Sequence, residues 1–356
     1  MADSTKNPLI SVLIATYNRA NSLCRAIESV LAQPGDYYEL VIVNDASPDN
    51  TDEAVQPYLA DRRVRYYVNP FNLGMQENYL RIFSEARGDY IFILTDDDWL
   101  VSGALEAVAQ VIKSYPQVGY ILSDLPTVDA RTGSIIGVDR AFEADRLLEP
   151  TLKNMAALAG LAWVLSRQVI RRDLIDWETW RRFRQNIFFP IIFAGRAMLS
   201  APSYYLAKQL VMHTWFNEVY WHKFGKDELD IGFNLAVDHQ RAMRAILHDR
   251  ETDPEARGII ERWELTVLKL YLKSEQNGFY DLMRVYGLRP AIRKLRSEFE
   301  ITWRGWLSIG IVFTQLPVLR AWIVAKLLAR RYAPHQAAKL KRIKNRWDGS
   351  SKARLN

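Results

Sequence analysis

The chain has 356 residues, of which 49% are hydrophobic and 25% charged, and its formal net charge at pH 7 is +6. This balance excludes a disordered chain and is typical of one large globular domain with an extension. A single cysteine, Cys24, excludes a disulfide framework within the chain and is typical of a reducing compartment. The first eight residues lack the pattern of a secretory signal, and no run reaches the roughly 20 apolar residues of a transmembrane helix.

Apolar runs that predict strands alternate with helical patterns over the first hundred residues. The strands are predicted over residues 9–15, 39–44, 64–68 and 90–94, and the helices between them over residues 22–31, 51–59 and 75–86. This βαβαβαβ order predicts a largely parallel sheet with helices on its faces. Because parallel strands end along one edge, the polar residues that follow each strand should meet there.

Three consecutive carboxylates, Asp96, Asp97 and Asp98, follow the fourth strand. Adjacent like charges repel, and no cation stands beside them in the sequence, so Mg²⁺ or Mn²⁺ would stabilise them. As a strand-end residue, Asp98 is expected to be exposed and to contribute little to packing. The alternative is a solvated acidic turn before a helix predicted over residues 102–114. No GxGxxG follows the first strand and no GxxxxGK[ST] is present, which disfavours dinucleotide and NTPase phosphate loops.

Residues 10–100 carry an ordered set of motifs: SVLIATYNR at 11–19, ELVIVNDASPDNT at 39–51 and NLGMQENYLRIFSEARGDYIFILTDDDWL at 72–100. This set resembles the nucleotide-binding half of family 2 glycosyltransferases, which are inverting enzymes with the GT-A fold. Thr-Asp-Asp-Asp differs from the commoner Asp-x-Asp-Asp and is similar to the form in O-antigen sugar transferases such as abequosyltransferases. The resemblance implies an α/β fold of the GT-A type, a mixed sheet flanked by helices, with an α-helical C-terminal extension.

The same resemblance implies roles for the residues that follow the strands. The nucleotide base would be bound by Thr16, Tyr17, Arg19 and Asp45, the last hydrogen-bonding a pyrimidine. The ribose would be flanked by Asn72, Gly74 and Asn78. The donor would also be bound by Asp96 and Asp97, while the divalent metal would be held by Asp96 and the catalytic Asp98. Alternatively, Gly74 is only a helix-entry turn residue, and Asn78 is a buried amide with its hydrogen bonds satisfied.

An inverting transfer needs a general base to take the proton of the acceptor hydroxyl. In the family this is usually an acid pair roughly eighty to ninety residues after the metal motif, where geometry matters more than spacing. Here residues 185–190, QNIFFP, contain no acid. Asp176 is the predicted base, with Asp173, Glu178 and Asp124 as alternatives. A scaffold that has lost catalysis is the non-enzymatic alternative, and a nucleotidyltransferase is disfavoured because no Gly-rich basic loop follows the first strand.

The second half of the chain is predicted to face the acceptor and then a membrane. The basic stretch 166–184 is predicted either to bind an anionic acceptor or to form a solvated helix face. From about residue 215 the pattern is helical. The uncharged segment 305–319, flanked by tryptophans, and the basic segment 339–347 together predict a peripheral segment on an anionic membrane surface. A helix hairpin with a solvated tail is the alternative.

These patterns combine into one predicted organisation. The catalytic domain is predicted over residues 1–210, with a donor half at 8–124 and an acceptor half at 125–210, followed by a helical extension at 211–300 and a membrane-associating segment at 301–356. The predicted partners are a nucleotide-diphosphate sugar (UDP-linked), a glycan or lipid-linked acceptor, and the anionic inner face of the cell membrane. Nucleic acid is not a predicted partner, and the predicted location is cytoplasmic and peripheral.

Overall fold

The computed structural model describes residues 8–215 and 237–273, with side chains to residue 267. The chain divides into two compact units, Met1–Trp263 and Glu264–Asn356, and the fold below belongs to the first. The predicted membrane segments 305–319 and 339–347 lie outside the described residues. Among those residues, no helix combines the length and the apolar character needed to span a bilayer.

The strands are β1 (Ile10–Thr16), β2 (Tyr38–Asn44), β3 (Val64–Val68), β4 (Tyr90–Ile93), β5 (Trp99–Leu100), β6 (Tyr120–Asp129), β7 (Ile135–Asp139), β8 (Arg146–Leu148), β9 (Gln168–Arg171), β10 (Ser203–Gln209) and β11 (Val211–Trp215). The helices are α1 (Ala20–Leu31), α2 (Thr51–Val55), α3 (Met75–Glu85), α4 (Ala104–Ser114), α5 (Leu152–Leu158), α6 (Trp177–Phe183), α7 (Phe189–Ser200), α8 (described over 237–246) and α9 (Pro254–Lys273). The predicted alternation of strands and helices in the first hundred residues is therefore confirmed.

The main sheet has the order β3-β2-β1-β4-β9-β6-β10-β8. Strands β3, β2, β1 and β4 are mutually parallel, and β6 is parallel to β10. Between these groups, β9 runs antiparallel to both β4 and β6. The sheet is therefore mixed, as predicted, and its two parallel groups point the same way. We call the edge where β1, β2 and β4 end the carboxyl edge, and the opposite one the amino edge.

Alternating side chains of the central strands supply two cores, one on each face of the sheet. Val12 and Ile14 of β1 face one way and pack with the buried stripes of α1 and α4. Leu13, with residues of β2 and β4, faces the other way and packs with α3, α5 and α7. Both faces are covered, which explains why these strands are continuously apolar. Because the strands are packed on both faces, their ends have fixed positions, and so do the residues that follow them at the carboxyl edge.

Helices α7 and α8 run side by side from the carboxyl edge towards the amino edge. Helix α7 crosses back to start β10, which is parallel to β6, so its first residues lie at the carboxyl edge. The side-chain amide of Asn186, just before α7, donates to the Asp238 carbonyl at 2.9 Å. At the other end, Arg196 of α7 donates to the carbonyl of Ile246 at 3.1 Å. The first residues of α8 therefore also lie at the carboxyl edge.

Candidate active site

Asp96 joins the end of β1 to the acidic triplet that follows β4. Its Oδ2 accepts the hydroxyl proton of Thr16 at 2.8 Å, and its Oδ1 lies 3.5 Å from Nη1 of Arg19. Burial raises the pKa of Asp96 to about 7; Arg19 opposes this rise, and the charge of Asp97 adds to it. Arg19 also donates to the Asp97 carboxylate. The cation that the sequence did not reveal next to the triplet thus comes from the loop after β1.

Asp98 is fully buried, which corrects the expectation that it is exposed. Strand β11 pairs antiparallel with β5 and covers Asp98. The backbone N–H of Thr214 donates to Asp98 Oδ1 at 2.7 Å, and Nδ1 of His213 lies 3.2 Å from both carboxylate oxygens. Burial alone would lower the pKa of His213, but the hydrogen bond and charge of Asp98 outweigh it and raise the pKa.

Side-chain contacts hold β11 next to the acidic loop, which consists of Asp96, Asp97 and Asp98. The guanidinium of Arg25 lies over the ring of Trp99, 3.8 Å from its centroid, which is cation–π geometry. The same group donates to the Asp97 carbonyl at 3.0 Å and to the Thr214 hydroxyl oxygen at 3.3 Å. The Thr214 hydroxyl itself donates to the Asp97 carbonyl at 2.6 Å. One arginine of α1 therefore connects the acidic loop, β5 and β11.

The donor atoms at this edge fit a divalent cation that also binds a diphosphate. Within the described residues, no group of three or more His, Cys, Asp or Glu side chains is arranged to hold an ion by itself. Mg²⁺ and Mn²⁺ are commonly held by only one or two carboxylates, with phosphate oxygens supplying further ligands. Asp96 and Asp98 supply carboxylate oxygens, which both of these cations accept. The chemistry of the residues is therefore compatible with a metal–diphosphate complex.

Asp45, at the end of β2, holds the loop that leads into α3. Its Oδ1 accepts the Asn69 amide at 2.7 Å and the Leu73 N–H at 2.8 Å, and its Oδ2 accepts the Gly74 N–H at 2.9 Å. The Asn69 amide is shared with Asn78 Oδ1 at 3.0 Å. A carboxylate offers about four lone-pair positions, so three accepted bonds leave one on Oδ2.

The predicted ribose residues lie around this loop in different environments. Gly74 has a φ of +83° and immediately precedes α3, so the helix-entry role holds, and its N–H also donates to Asn72 Oδ1 at 2.9 Å. Asn72 is exposed, whereas Asn78 is buried and donates to the Val43 carbonyl at 3.4 Å. Asn78 therefore holds the loop from beneath, and Asn72 is the member of the group that a ligand can reach.

The loops after β1 and β2 support each other at the same edge. Asn18 and Ala46 both have positive φ angles, of 56° and 55°, which non-glycine residues rarely adopt. The Asn18 N–H donates to the Ser47 hydroxyl oxygen at 2.9 Å. Tyr17 is 46% exposed and follows the buried Thr16. The Asp45 N–H donates to the Thr16 carbonyl at 2.9 Å, and the Tyr17 backbone N–H donates to Asp96, so the backbone of this loop contacts both aspartates.

On the far side of the triplet, the predicted acceptor half contributes a buried arginine and a paired aspartate. Arg167 is fully buried and donates to the Ser123 carbonyl at 2.7 and 3.0 Å and to Asp139 Oδ2 at 2.9 Å. Burial lowers its pKa, against the opposing effect of Asp139. Asp124 accepts the Tyr205 hydroxyl on one oxygen and Arg140 Nε, at 3.0 Å, on the other. Arg167, expected on a helix face or gripping an anion, is instead internal.

Asp176 lies at the amino edge, away from the triplet. Strand β9 is antiparallel to β4 and pairs Arg171 with Tyr90, the first residue of β4, so the chain leaves β9 at that edge. Asp176 caps α6 by accepting the Thr179 N–H at 2.9 Å, and its Oδ2 accepts Arg196 Nε at 2.9 Å. Burial would raise its pKa, but these bonds and the Arg196 charge lower it. This placement argues against Asp176 as the base.

The alternative bases named from the sequence are no better placed. Asp173 pairs with Arg171 at 2.7 Å at the same amino edge, and Glu178 is in the first turn of α6. Asp124 is at the carboxyl edge, but both its oxygens are engaged. Sequence reasoning also missed His213 and Thr214 as partners of Asp98. The signal available was the polar pair His213-Thr214 in an otherwise apolar strand, which is too common to identify a site.

Comparisons with known proteins agree with this fold. Residues 11–132 match the family model described as glycosyl transferase family 2. An uncharacterized glycosyltransferase of Mycoplasma pneumoniae is 36% identical over 106 residues, which cover 28% of this chain and 35% of that protein. The GalNAc(5)-diNAcBac-PP-undecaprenol beta-1,3-glucosyltransferase of Campylobacter jejuni is 34% identical over 105 residues, covering 29% and 34%.

Solved structures share the fold over more of the chain. The crystal structure of residues 1–349 of S. aureus TarS with UDP matches with a TM-score of 0.56 and 16% identity, covering 77% of this chain and 74% of that one. At this identity the match concerns the fold alone. The aligned stretch spans only about a third of the two curated relatives' own lengths.

Proposed function

Residues 11–132 form a glycosyltransferase family 2 domain of the GT-A fold, and from this premise we propose that the chain is an inverting, metal-dependent glycosyltransferase. It moves a sugar from a nucleotide-diphosphate donor to an acceptor hydroxyl. The observation that carries the proposal is that Asp96 and Asp98, which follow β4 at the carboxyl edge, are held by partners from distant parts of the chain: Asp96 by Thr16 at the end of β1, and Asp98 by His213 and Thr214 of β11. Open α/β sheets bind ligands at this edge.

Different residues of the donor half bind the base, the ribose and the diphosphate of the donor. Tyr17 provides an exposed ring against which a base can stack, and the remaining lone pair of Asp45 accepts an N–H of a pyrimidine. Asn72 reaches the ribose. Arg19 offsets the charge of Asp97, so that the loop tolerates a diphosphate next to it. These contacts favour a uridine donor.

Asp96 and Asp98 would hold the divalent cation together with oxygens of the donor diphosphate, and the cation would neutralise charge on the departing diphosphate. Thr214 orients Asp98 through its backbone N–H, and Arg25 holds Thr214 in place. Asp98 is fully buried, which excludes bulk water from its carboxylate. The two carboxylates would therefore hold the cation in a preorganised position next to the developing negative charge of the leaving group, which is a principal source of catalysis.

A lipid-linked or cell-surface glycan precursor is the proposed acceptor. Support comes from the sequence of the C-terminal segments 305–319 and 339–347, whose aromatic, apolar and basic character is typical of a segment lying on an anionic membrane. The Campylobacter relative, whose name includes PP-undecaprenol, agrees with this proposal. The proposed location is the cytoplasmic face of the cell membrane.

A thermal-shift panel on the full chain tests this function. The chain is heated with UDP-, GDP-, CDP- and TDP-sugars, each with and without Mn²⁺. A ligand at 100 times its Kd stabilises the native state by about 2.7 kcal/mol, so a UDP-sugar with Mn²⁺ should raise the Tm by several degrees. Release of free nucleotide from the stabilising donor should follow. If no donor raises the Tm and none releases nucleotide, the proposal fails.

A further inference from the structure

The loop that precedes α7 lacks an acid of its own, yet a carboxylate from α8 reaches it. Residues 185–188 fall where the family usually carries its acid pair, and they contain none. The Ile187 N–H donates to Asp238 Oδ2 at 3.2 Å, and the Asn186 amide donates to the Asp238 carbonyl at 2.9 Å. Next to them, the rings of Phe188 and His239 stack with centroids 4.4 Å apart. An acid from elsewhere in the chain therefore occupies the neighbourhood of the missing pair.

Two contacts with α3 locate this loop at the carboxyl edge, where the triplet also lies. Arg184 Nη1 lies 3.6 Å from Oε1 of Glu77, which is in the first turn of α3. The ring of Phe189 packs on Tyr79 of α3, with centroids 5.2 Å apart. Tyr79 in turn is close enough to Asp96 for that charge to raise its pKa, after the larger effect of burial.

The local environment of Asp238 differs from that of the other aspartates considered for the base. It is half-buried, and within the described residues its Oδ1 accepts no hydrogen bond. Burial raises its pKa, opposed by the Ile187 N–H and the charge of Arg241. A raised pKa makes a carboxylate more willing to take a proton near neutral pH. Asp176 and Asp124, in contrast, are held by arginines and by hydrogen bonds to both oxygens.

We propose that Asp238 is the general base of the transfer, supplied by α8 in place of the acid pair missing from the loop before α7. This inference rests on the proposed function. The acceptor hydroxyl gives its proton to the Asp238 carboxylate while its oxygen forms a bond to C1 of the donor sugar. The bond between C1 and the β-phosphate oxygen breaks, and its electron pair leaves with the nucleotide diphosphate. Asp238 then returns the proton to solvent.

The test uses the full chain and measures release of UDP from UDP-glucose, UDP-galactose and UDP-N-acetylglucosamine with Mn²⁺. Water and octyl β-D-glucopyranoside serve as hydroxyl acceptors. Asp238→Asn keeps an oxygen for the Ile187 N–H and removes the base, so the rate should fall by about 10² to 10⁴-fold. Binding of the donor and the Tm should stay near wild type. Asp249→Asn, which changes an aspartate beyond the other end of α8, is the matched control and should keep the wild-type rate.

Chemical rescue separates a base from a structural residue. Formate added to Asp238→Ala should restore part of the rate, because a small carboxylate can enter the space and take the proton. An Asp238→Asn rate within threefold of wild type overturns the inference, as does the absence of rescue in a folded Asp238→Ala. A wild-type chain that releases no UDP from any of the three sugars refutes the proposed uridine donor and, with it, this inference, whereas an active wild type with an active Asp238→Asn refutes only the role of Asp238.

Discussion

Replacing Asp98 in two ways separates its structural contribution from its predicted role as a metal ligand. Asp98→Ala removes the acceptor of the Thr214 N–H and of His213, which lie 2.7 and 3.2 Å from its oxygens. A hydrogen bond to a charged group contributes about 1.5 to 3 kcal/mol, and a buried donor left without a partner has a similar cost. We therefore expect Asp98→Ala to lower the free energy of unfolding by about 2 to 3 kcal/mol. Asp98→Asn keeps one oxygen for Thr214, so its loss should be about 1 kcal/mol.

Both variants should lose the Mn²⁺-dependent binding of a UDP-sugar, because neither retains the charge of the carboxylate. Urea denaturation measures the free energy of unfolding, and calorimetric titration of UDP-glucose with and without Mn²⁺ measures binding. Lys113→Ala, on the last turn of α4, is a suitable surface control. An Asp98→Ala variant as stable as wild type would refute the contacts with β11, while an Asn variant that still responds to Mn²⁺ would refute the role in metal binding.

Three further predictions follow from separate features. Asp176→Ala should destabilise the chain by about 1 to 2 kcal/mol through the lost α6 cap while leaving the transfer rate unchanged; a loss of rate in the folded variant would contradict its placement. Because folding lowers the pKa of Asp176 below its ordinary 3.8, its contribution is present above that value and should be lost as pH falls through the folded pKa, so the difference in urea stability should shrink in acid. Gly74→Ala should lower the free energy of unfolding by about 1 to 2 kcal/mol because of its φ of +83° alone, since an added Cβ meets nothing within 4 Å. Gly137→Ala, where an added Cβ also meets nothing but φ is ordinary, is the control and should not lower it. Equal stabilities of the two variants would refute the backbone strain at Gly74. Neutralising the basic residues of segment 339–346 should weaken co-sedimentation of the chain with anionic vesicles and leave its co-sedimentation with neutral vesicles unchanged. Added salt should have the same effect on the unchanged chain, because it screens the electrostatic attraction. A full chain that stays in the supernatant with both kinds of vesicle would refute the predicted membrane segment.

The donor half of the fold was predictable because its strands are buried on both faces. Residues 64–68 were predicted as a strand and form β3 with the same bounds; β2 and β4 differ from prediction by one residue at one end, and β1 is shifted by one residue. Turn signals are equally local: Arg131-Thr132-Gly133, a sequence typical of a hairpin tip, joins β6 to β7, with Gly133 at a φ of 69°. Such features depend on local periodicity and backbone preference, which neighbouring residues determine.

The placement of the acceptor half could not be predicted, because strand direction is not encoded in local periodicity. The apolar run of β9 gives no sign that it enters the sheet antiparallel, and that direction is what carries Asp176 to the amino edge. Likewise, nothing around His213 indicates that β11 pairs with β5 more than a hundred residues earlier. Asp238 reaches the loop before α7 only because α7 and α8 pack side by side.

The return of β11 also sets the order in which the site is completed during synthesis. Thr214 lies 116 positions after Asp98, and ribosomes add about 5 to 20 residues per second, so roughly 6 to 23 seconds separate the two residues. During that interval the emerging sheet of β1 to β4 can pair, because its contacts are already present in the nascent chain. Asp98, however, lacks the backbone N–H that donates to it until Thr214 has been synthesised. A product truncated at the end of the family-matched segment, residue 132, would keep the three carboxylates and lack the strand that orients them.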